Sequence, residues 1–151
     1  PALHSENKRI FAYMFSDYWK DVGTIDSYYD ANMDLLDESC DFDLTDPNFR
    51  IFSNNNSRHP QYIGPNAEVS HSLICDGCVV FGHVEHSILS HDITIGEHTY
   101  IKDCIIHTGA VIKDGAHLER CIVGPRGTVS ADTRIVASEN DDPSQIQVIN
   151  G

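Results

Sequence analysis

The residues best suited to chemistry lie near the start of the sequence, in the segment Trp19-x-Asp21-x-Gly23-Thr24. A carboxylate repels phosphate groups unless it holds a divalent cation such as Mg²⁺, which turns its charge into an anchor for them. A neighbouring indole ring can pack against a sugar. The spacing also allows a structural interpretation, in which Trp19 belongs to a core and Asp21 caps the turn before a helix.

One strand and one helix are predicted around this segment. Residues 10–15, IFAYMF, form an apolar run of strand length. Thr24 is a suitable N-cap for a helix over residues 25–36. The residues that recur there at helical spacing are Ile25, Tyr28, Tyr29, Asn32 and Leu36. Two elements cannot bury a core, so we expect residues 1–36 to be the remnant of an α/β domain whose partner lies outside the chain.

The bulk composition excludes several classes of protein. The chain has 151 residues, and its 10 basic and 23 acidic residues give a net charge of -13. This charge disfavours nucleic acids and anionic membranes as partners, and no apolar run reaches the roughly 18 residues of a membrane span. Five cysteines and no secretory leader argue against a disulfide framework. We expect a cytoplasmic protein.

Residues 37–62 are rich in Asp, Asn, Ser and Pro, which predicts an irregular connector. From Ile63 to Ile135 the sequence then repeats. From Val84 onward, aliphatic residues follow one another at steps of 5, 6 and 6, which sum to a period of 17. A recurrence near six indicates a short strand followed by a corner, and three such sides close one coil. The columns that stack at this period are Ile95-Ile112-Val129, Ile101-Leu118-Ile135 and Leu89-Ile106-Val123.

These columns predict an all-β fold, a left-handed parallel β-helix over residues 63–136, followed by an acidic tail over 137–151. Small residues two places before the aliphatic positions, among them Cys78, Cys104 and Cys121, should fill inward slots. For Cys75 and Cys78 we therefore favour packing over metal binding. The step of only four from Val80 to Val84 predicts a distorted corner. Glycines are expected at corners with positive φ, namely Gly77, Gly82, Gly96, Gly109 and Gly115.

The stretch YWKDVGTIDSYYDANMDLLD, the connector motifs DPNF and PQYIG, and the hexad repeats together carry a family resemblance. The sequence resembles the C-terminal part of bacterial glucose-1-phosphate adenylyltransferases, from about Ile10 to Ile135. The family's glycine-rich nucleotide loop has no counterpart here. We therefore expect the chain to be a fragment that is inactive by itself.

The resemblance implies roles for individual residues. Asp21 would be the catalytic Mg²⁺ ligand and Trp19 would lie against the glucosyl phosphate. Arg120 and Arg126, in the last coils, are candidates for binding a regulator. The family's reaction converts ATP and glucose 1-phosphate to ADP-glucose and pyrophosphate for glycogen synthesis, and both substrates would bind through the missing N-terminal domain. The resemblance also implies a homo- or hetero-oligomer.

Two alternatives remain open at the level of sequence. The chain could be a non-catalytic module that serves only assembly and regulation, because coil ends offer unpaired strand edges to a partner. It could also be a hexapeptide-repeat acyltransferase with a histidine base at a subunit interface, for which His91 and His107 are the best candidates. That alternative leaves the segment around Trp19 and Asp21 unexplained.

Overall fold

The computed structural model describes residues 9–40, 42–44, 46–52, 57–136 and 146–150. These residues form helix α1 (Ile25–Met33), a 3-10 helix (Asp34–Leu36) and strands β1 to β15. The first sheet contains β1 (Tyr62–Ile63), β4 (Val79–Val80), β7 (Thr94–Ile95), β10 (Val111–Ile112) and β13 (Thr128–Val129). The second contains β2 (Glu68–Ser70), β5 (His83–Glu85), β8 (Tyr100–Lys102), β11 (His117–Glu119) and β14 (Arg134–Ile135). The third contains β3 (Leu73–Ile74), β6 (Ile88–Leu89), β9 (Ile105–Ile106), β12 (Cys121–Val123) and β15 (Gln147–Ile149).

The three sheets are the sides of a parallel β-helix. Each of the strands β1 to β12 pairs in parallel with the strand three places later, so one strand of each sheet belongs to each coil. The three stacks of aliphatic residues are confirmed by the strand register. Ile112 pairs with Ile95 on one side and Val129 on the other, and the remaining two columns pair in the same way.

The interior is filled by these columns. Ile95, Ile101, Ile106, Ile112 and Leu118 are fully buried. Burying one such side chain contributes roughly 1.5–3 kcal/mol of hydrophobic stabilisation, before the entropy cost of ordering the chain is counted. Short strands of two or three residues are therefore sufficient, because each inward side chain contacts the one in the coil above and the one below.

The inward slots predicted for small residues are confirmed for the cysteines. Cys78, Cys104 and Cys121 are buried, and all three are free thiols. The Sγ atoms of Cys104 and Cys121 are 3.6 Å apart, too far for a disulfide bond of about 2.05 Å. Burial raises the pKa of the Cys104 thiol. In the described part of the chain, no group of three or more His, Cys, Asp or Glu residues is arranged to hold a metal ion.

One expectation about the first 36 residues is not met. The run at residues 10–15 forms no strand, and its side chains are exposed, because a lone strand has no neighbour to satisfy its backbone hydrogen bonds. The helix, by contrast, finds its partner within the chain. Tyr28, Tyr29 and Met33 pack against Ile105 and Ile122 on the outer face of the third sheet.

The prediction of positive φ at the corner glycines is confirmed only in part. Gly77, Gly109 and Gly115 have positive φ, but Gly82 and Gly96 do not. At these two positions glycine is required by close approach. A Cβ on Gly82 would collide with Thr99 Oγ1, and one on Gly96 would collide with Asp114 Oδ1.

The end of the chain differs from the expected tail. Residues 147–149 form β15, which pairs with β12 in the register Cys121↔Gln147 and extends the third sheet by one strand. The acidic run at residues 139–145 lies outside the described residues. The expected connector is irregular where it is described, except that its last residue, Tyr62, begins β1. None of the helices in the described ranges has the length and apolar character to span a bilayer.

Candidate functional site

The segment 18–21 presents its side chains alternately to the protein and to solvent. The Tyr18 hydroxyl donates a hydrogen bond of 2.9 Å to Asp34 Oδ2, and Lys20 Nζ donates one of 2.7 Å to the same oxygen. Trp19 and Asp21, on the other side, are exposed, and Trp19 is 75% exposed. The two anchored residues therefore fix the direction of the two candidate site residues.

The anchoring on Asp34 affects the pKa of Tyr18. Desolvation, and then its hydrogen bond to the Asp34 carboxylate, raise the pKa of Tyr18 to about 12. The phenol therefore stays protonated at neutral pH and donates to Asp34 continuously. The interaction holds the segment against the far end of α1.

The helix that follows Asp21 begins with a capping box. The Thr24 side chain accepts a hydrogen bond of 3.2 Å from the Ser27 backbone N–H, and the Ser27 hydroxyl accepts one of 3.0 Å from the Thr24 N–H. The predicted N-cap is confirmed. Two of the otherwise unpaired amide groups at the helix start are satisfied in this way, so the turn after Asp21 has a defined geometry.

The role of Asp21 as a Mg²⁺ ligand stays a prediction. Its carboxylate is exposed, and no donor among the described residues contacts it. Mg²⁺ is commonly held by one or two carboxylates together with waters and substrate phosphates, so a single free carboxylate fits one part of such a site. A Cβ on Gly23 would lie 3.5 Å from Asp21 Oδ1, which is ordinary van der Waals contact, so the carboxylate does not require a glycine at this position.

Trp19 and Asp21 do not share either of two depressions that the described residues form beside this segment. Trp19 lines a shallow depression of about 460 Å³ together with Tyr18, Asp34 and Asp37. Another depression of about 400 Å³ begins at Val22 and runs over Ile122 and Val148. Asp21 lies between the two in sequence and lines neither.

Helix α1 joins this segment to the β-helix through Tyr29. Tyr29 is only 5% exposed, and its hydroxyl donates a hydrogen bond of 2.7 Å to the carbonyl oxygen of Asp103. The Arg120 guanidinium lies 5.6 Å from the centre of the Tyr29 ring. Burial raises the pKa of Tyr29, so the hydroxyl remains a donor. These contacts hold the helix on the third sheet.

Two further contacts hold α1 and the 3-10 helix on the β-helix. The Tyr28 ring stacks on His107 at 6.0 Å, with its hydroxyl 3.3 Å from His107 Nε2. Desolvation lowers the pKa of His107, which favours the neutral ring. At the end of the 3-10 helix, His71 Nε2 lies 2.7 Å from the carbonyl oxygen of Leu36, whose side chain is buried.

The sequence contains a signal for this docking surface. Strands of the third sheet carry two adjacent aliphatic residues, as in Ile88-Leu89, Ile105-Ile106 and Ile122-Val123. A strand that is covered on one face alone needs only alternate apolar residues, so doubled aliphatic residues favour cover on both faces. The signal is not specific, because Val111-Ile112 of the first sheet has the same doubling with Val111 exposed. Strands of the second sheet instead carry His, Tyr, Glu and Lys on their outer face.

The two arginines assigned to a regulator lie at different edges of the prism. Arg120 is at the corner between the second and third sheets, where it lies over Tyr29. Arg126 is exposed at the corner between the third and first sheets. Their shared role in regulator binding stays a prediction. Of the two histidines in the acyltransferase alternative, His107 is covered by Tyr28, which contacts a ring nitrogen that a base would use.

The fold and its repeat define a class, the hexapeptide-repeat β-helix proteins. Residues 59–151 match the family model described as "GlmU-like, C-terminal hexapeptide", and the chain belongs to this family. Its hexapeptide repeat fits a left-handed coil. Residues 1–38 match a second model, "Nucleotidyl transferase", so the segment with Trp19 and Asp21 belongs to a different family region from the prism.

Individual relatives span both regions. The chain is 42% identical over 142 residues to a glucose-1-phosphate adenylyltransferase of Bacillus mycoides, which covers 94% of the chain and 38% of that protein. An enzyme of the same name from Desulforamulus reducens is 42% identical over 154 residues, covering 100% of the chain and 39% of the relative. The chain thus spans about two-fifths of the length of these relatives and corresponds to their C-terminal part.

Proposed function

We propose that this chain is the C-terminal part of a glucose-1-phosphate adenylyltransferase, and that it supplies the enzyme with Asp21, Trp19 and a β-helix on which they are held. In that reaction the phosphate of glucose 1-phosphate attacks the α-phosphorus of ATP. The bond from that phosphorus to the β-phosphate oxygen breaks, so pyrophosphate leaves and ADP-glucose remains. The product is the glucosyl donor for glycogen synthesis.

One observation carries this proposal. The similarity to adenylyltransferases runs at 42% identity through both the Trp19–Asp21 segment and the β-helix, which are different in fold. A free hexapeptide-repeat acyltransferase would have no need of the first segment. The anchoring of Tyr18 and Lys20 on Asp34 adds support, because it holds Trp19 and Asp21 outward, toward the space that an upstream domain would fill.

Each residue has a specific role in the proposed site. Asp21 would hold Mg²⁺, which neutralises negative charge on the reacting phosphates when it is bound. Trp19 would pack its ring against the glucosyl group and keep water from it. Thr24, Tyr28 and Tyr29 would act indirectly. They fix the helix that follows Asp21 to the prism.

The proposal is tested with a chimeric protein. The chain replaces the matching C-terminal segment of the Bacillus mycoides enzyme, and ADP-glucose formation is measured from ATP and glucose 1-phosphate with Mg²⁺. We expect an active chimera and an inactive isolated chain. A chimera that folds and assembles but forms no ADP-glucose would contradict the proposal, as would ADP-glucose formation by the chain alone.

Asp21→Asn in the chimera isolates the metal-binding role. Loss of a group that stabilises transition-state charge costs about 100-fold or more in kcat. Asp30→Asn is the matched control, since Asp30 is an exposed carboxylate on α1. We expect nearly unchanged activity for the control. Equal activity of both variants at saturating Mg²⁺ would remove Asp21 from the site.

The first coil supports a second candidate function, assembly with another copy of the chain. Its strands β1, β2 and β3 lie at the edges of the three sheets, and each pairs on one side only within the described residues. The inward residues Ile63 and Val69 are 40% and 37% exposed there, whereas their counterparts in the next coil are fully buried. Sedimentation of the isolated chain tests this function, and a strict monomer at high concentration counts against it.

A further inference from the structure

One corner of the β-helix is shorter than the equivalent corners of the other coils. Between the first and second sheets, four residues form the corner in four coils, namely 64–67, 96–99, 113–116 and 130–133. In the remaining coil the corner has only two residues, Phe81 and Gly82. The predicted distortion between Val80 and Val84 is therefore confirmed as a corner that lacks two residues.

The missing residues do not disturb the core. Val69 pairs with Val84, and Val84 pairs with Ile101, although the first pair is 15 residues apart and the second 17. The chain takes a shorter path at the corner and re-enters the ladder in register. The absence of these two residues therefore changes only the surface. There, the corners of the coils on either side project beyond the short corner.

This arrangement creates a cleft of about 560 Å³, which we call the corner cleft. Its base is formed by Phe81 and Gly82, and its two sides by Asn66 and Glu68 from one neighbouring coil and Glu97 and His98 from the other. The volume lies in the range of small-molecule sites. The shape of the base is fixed. A side chain at Gly82 would collide with the Thr99 hydroxyl, which donates a 3.1 Å hydrogen bond to the Gly96 carbonyl oxygen.

The groups around the corner cleft select for positive charge. Its two sides each carry a carboxylate, from Glu68 and Glu97, and the described residues that line it include neither lysine nor arginine. No donor within the described ranges contacts the Glu97 carboxylate, while that of Glu68 lies 3.1 Å from His83 Nδ1. An anionic ligand would be repelled here, in a chain whose net charge is -13.

The aromatic base and the available ligand groups decide which kind of cation fits. The Phe81 side chain is 37% exposed and is held at its edge by the Tyr62 ring, at a centroid distance of 6.0 Å. Aromatic faces attract ammonium and guanidinium groups. The described residues include no group of three or more metal-binding side chains, so the cleft lacks the ligand set of a metal site.

We propose that the corner cleft binds a small organic cation, an alkylammonium or alkylguanidinium group whose charge lies between Glu68 and Glu97 and whose carbon chain lies on Phe81. This site is separate from the proposed transferase site and does not depend on that function. It is a product of the two-residue deletion, because a corner of normal length would occupy the same space.

Nuclear magnetic resonance titration of the whole chain with butylguanidinium and with butylammonium tests the proposal. We expect saturable shifts at the amides of Phe81, Gly82 and Glu97. Butylurea, a neutral molecule of similar shape, should cause none of comparable size. Saturable binding of butylurea with equal affinity, or the absence of saturable shifts with both cations, would overturn the proposal.

Variants of the two carboxylates show whether charge drives the binding. Glu97→Gln and Glu68→Gln should each weaken butylguanidinium binding by about three- to fivefold, the range expected for an exposed ion pair. Glu38→Gln, which removes an exposed carboxylate near the end of α1, is the matched control and should leave binding unchanged. Equal binding by all three variants and the original chain would contradict the charge requirement.

Restoring the corner tests the geometry. Insertion of Asn-Gly between Phe81 and Gly82 gives that corner four residues, and we expect it to fill the cleft and abolish binding. Circular dichroism and thermal unfolding report whether this variant folds; if it does not, the carboxylate variants decide. A folded insertion variant with unchanged binding would place the cation elsewhere.

A blocked Gly-Arg-Gly peptide distinguishes the source of the cation. Tighter binding of butylguanidinium than of the peptide points to a free small molecule, and the reverse points to an arginine side chain of a protein. Both results support the cleft as a cation site.

Discussion

The Tyr29 hydroxyl donates a 2.7 Å hydrogen bond to the backbone carbonyl of Asp103, which lies 74 residues further along the chain. Asp103 occupies a corner between the second and third sheets and has a positive φ of 53°. The bond thus joins the helix after Asp21 to a fixed point of the prism. Because Tyr29 also packs on Ile105 and Ile122, we expect the helix and the β-helix to unfold together.

Tyr29→Phe should destabilise the chain by about 1 kcal/mol, because the ring stays packed but one buried hydrogen bond is lost. Urea unfolding measured by fluorescence gives this free energy. Tyr13→Phe is the control, since Tyr13 is 88% exposed and removal of its hydroxyl should cost little stability. A Tyr29→Phe variant as stable as the control would show that the bond to Asp103 contributes nothing.

The docked helix should loosen as the pH falls below about 6.5. Desolvation lowers the pKa of His107 from its usual 6.5, so the folded chain binds fewer protons at this site than the unfolded chain. The stability linked to this histidine is complete above pH 6.5 and is lost as the pH falls through the folded pKa. Protonation also removes the ring nitrogen as an acceptor for Tyr28.

His107→Gln should remove this dependence between pH 7 and pH 5. Unfolding free energies measured across that range test the expectation. Carboxylates with lowered pKa values, such as Asp37 and Glu85, titrate below this range and contribute at lower pH. His98→Gln, at an exposed corner, is the control. An unchanged slope in the His107 variant would mean that another group controls the transition.

Ile112→Ala should destabilise the chain by about 2–5 kcal/mol, because it leaves a cavity between Ile95 and Val129 that the short strands cannot close. The adjacent residue Val111 offers a matched control, since it points outward and is 36% exposed, whereas Ile112 is fully buried. Thermal or urea unfolding compares the two. Similar losses for Val111→Ala and Ile112→Ala would contradict the inward ladder.

Thr24→Ala should cost about 1 kcal/mol, because the helix loses its N-cap acceptor. The reciprocal bond to Ser27 predicts that the double variant with Ser27→Ala costs less than the sum of the two single variants. Hydrogen exchange of the amides in α1 reports the effect locally. Fully additive losses would show that the two residues cap the helix independently.

The interior of this protein could be predicted from its sequence in residue-level detail. Inward positions alternate along each strand, and one coil takes 17 residues. Each inward aliphatic residue therefore has one possible neighbour in the coil above and one in the coil below, as the pairs Ile95–Ile112 and Ile101–Leu118 show. The short corner was visible for the same reason, as a step of four in that rhythm. The N-cap at Thr24 depends only on residues close to it in sequence, so it could also be predicted.

The outer surface could not be predicted in this way. The contact between Tyr29 and Asp103 depends on which side of the prism the helix returns to, and no periodicity within residues 10–36 encodes that choice. The strand expected at residues 10–15 did not form, since strand pairing requires a neighbour that the described residues do not offer. Likewise, the residues that line the corner cleft come from three coils, and its two carboxylates, Glu68 and Glu97, from the two outer ones, which only the stacking brings together.

The sequence by itself determined the prism, its register and its helix cap, because each follows from contacts at short or fixed intervals along the chain. Only the tertiary structure decided where the helix docks, that Trp19 and Asp21 face outward, and that Glu68 and Glu97 lie on opposite sides of one cleft. Such relationships join residues at intervals that no repeat fixes. They are set by the packing of whole elements.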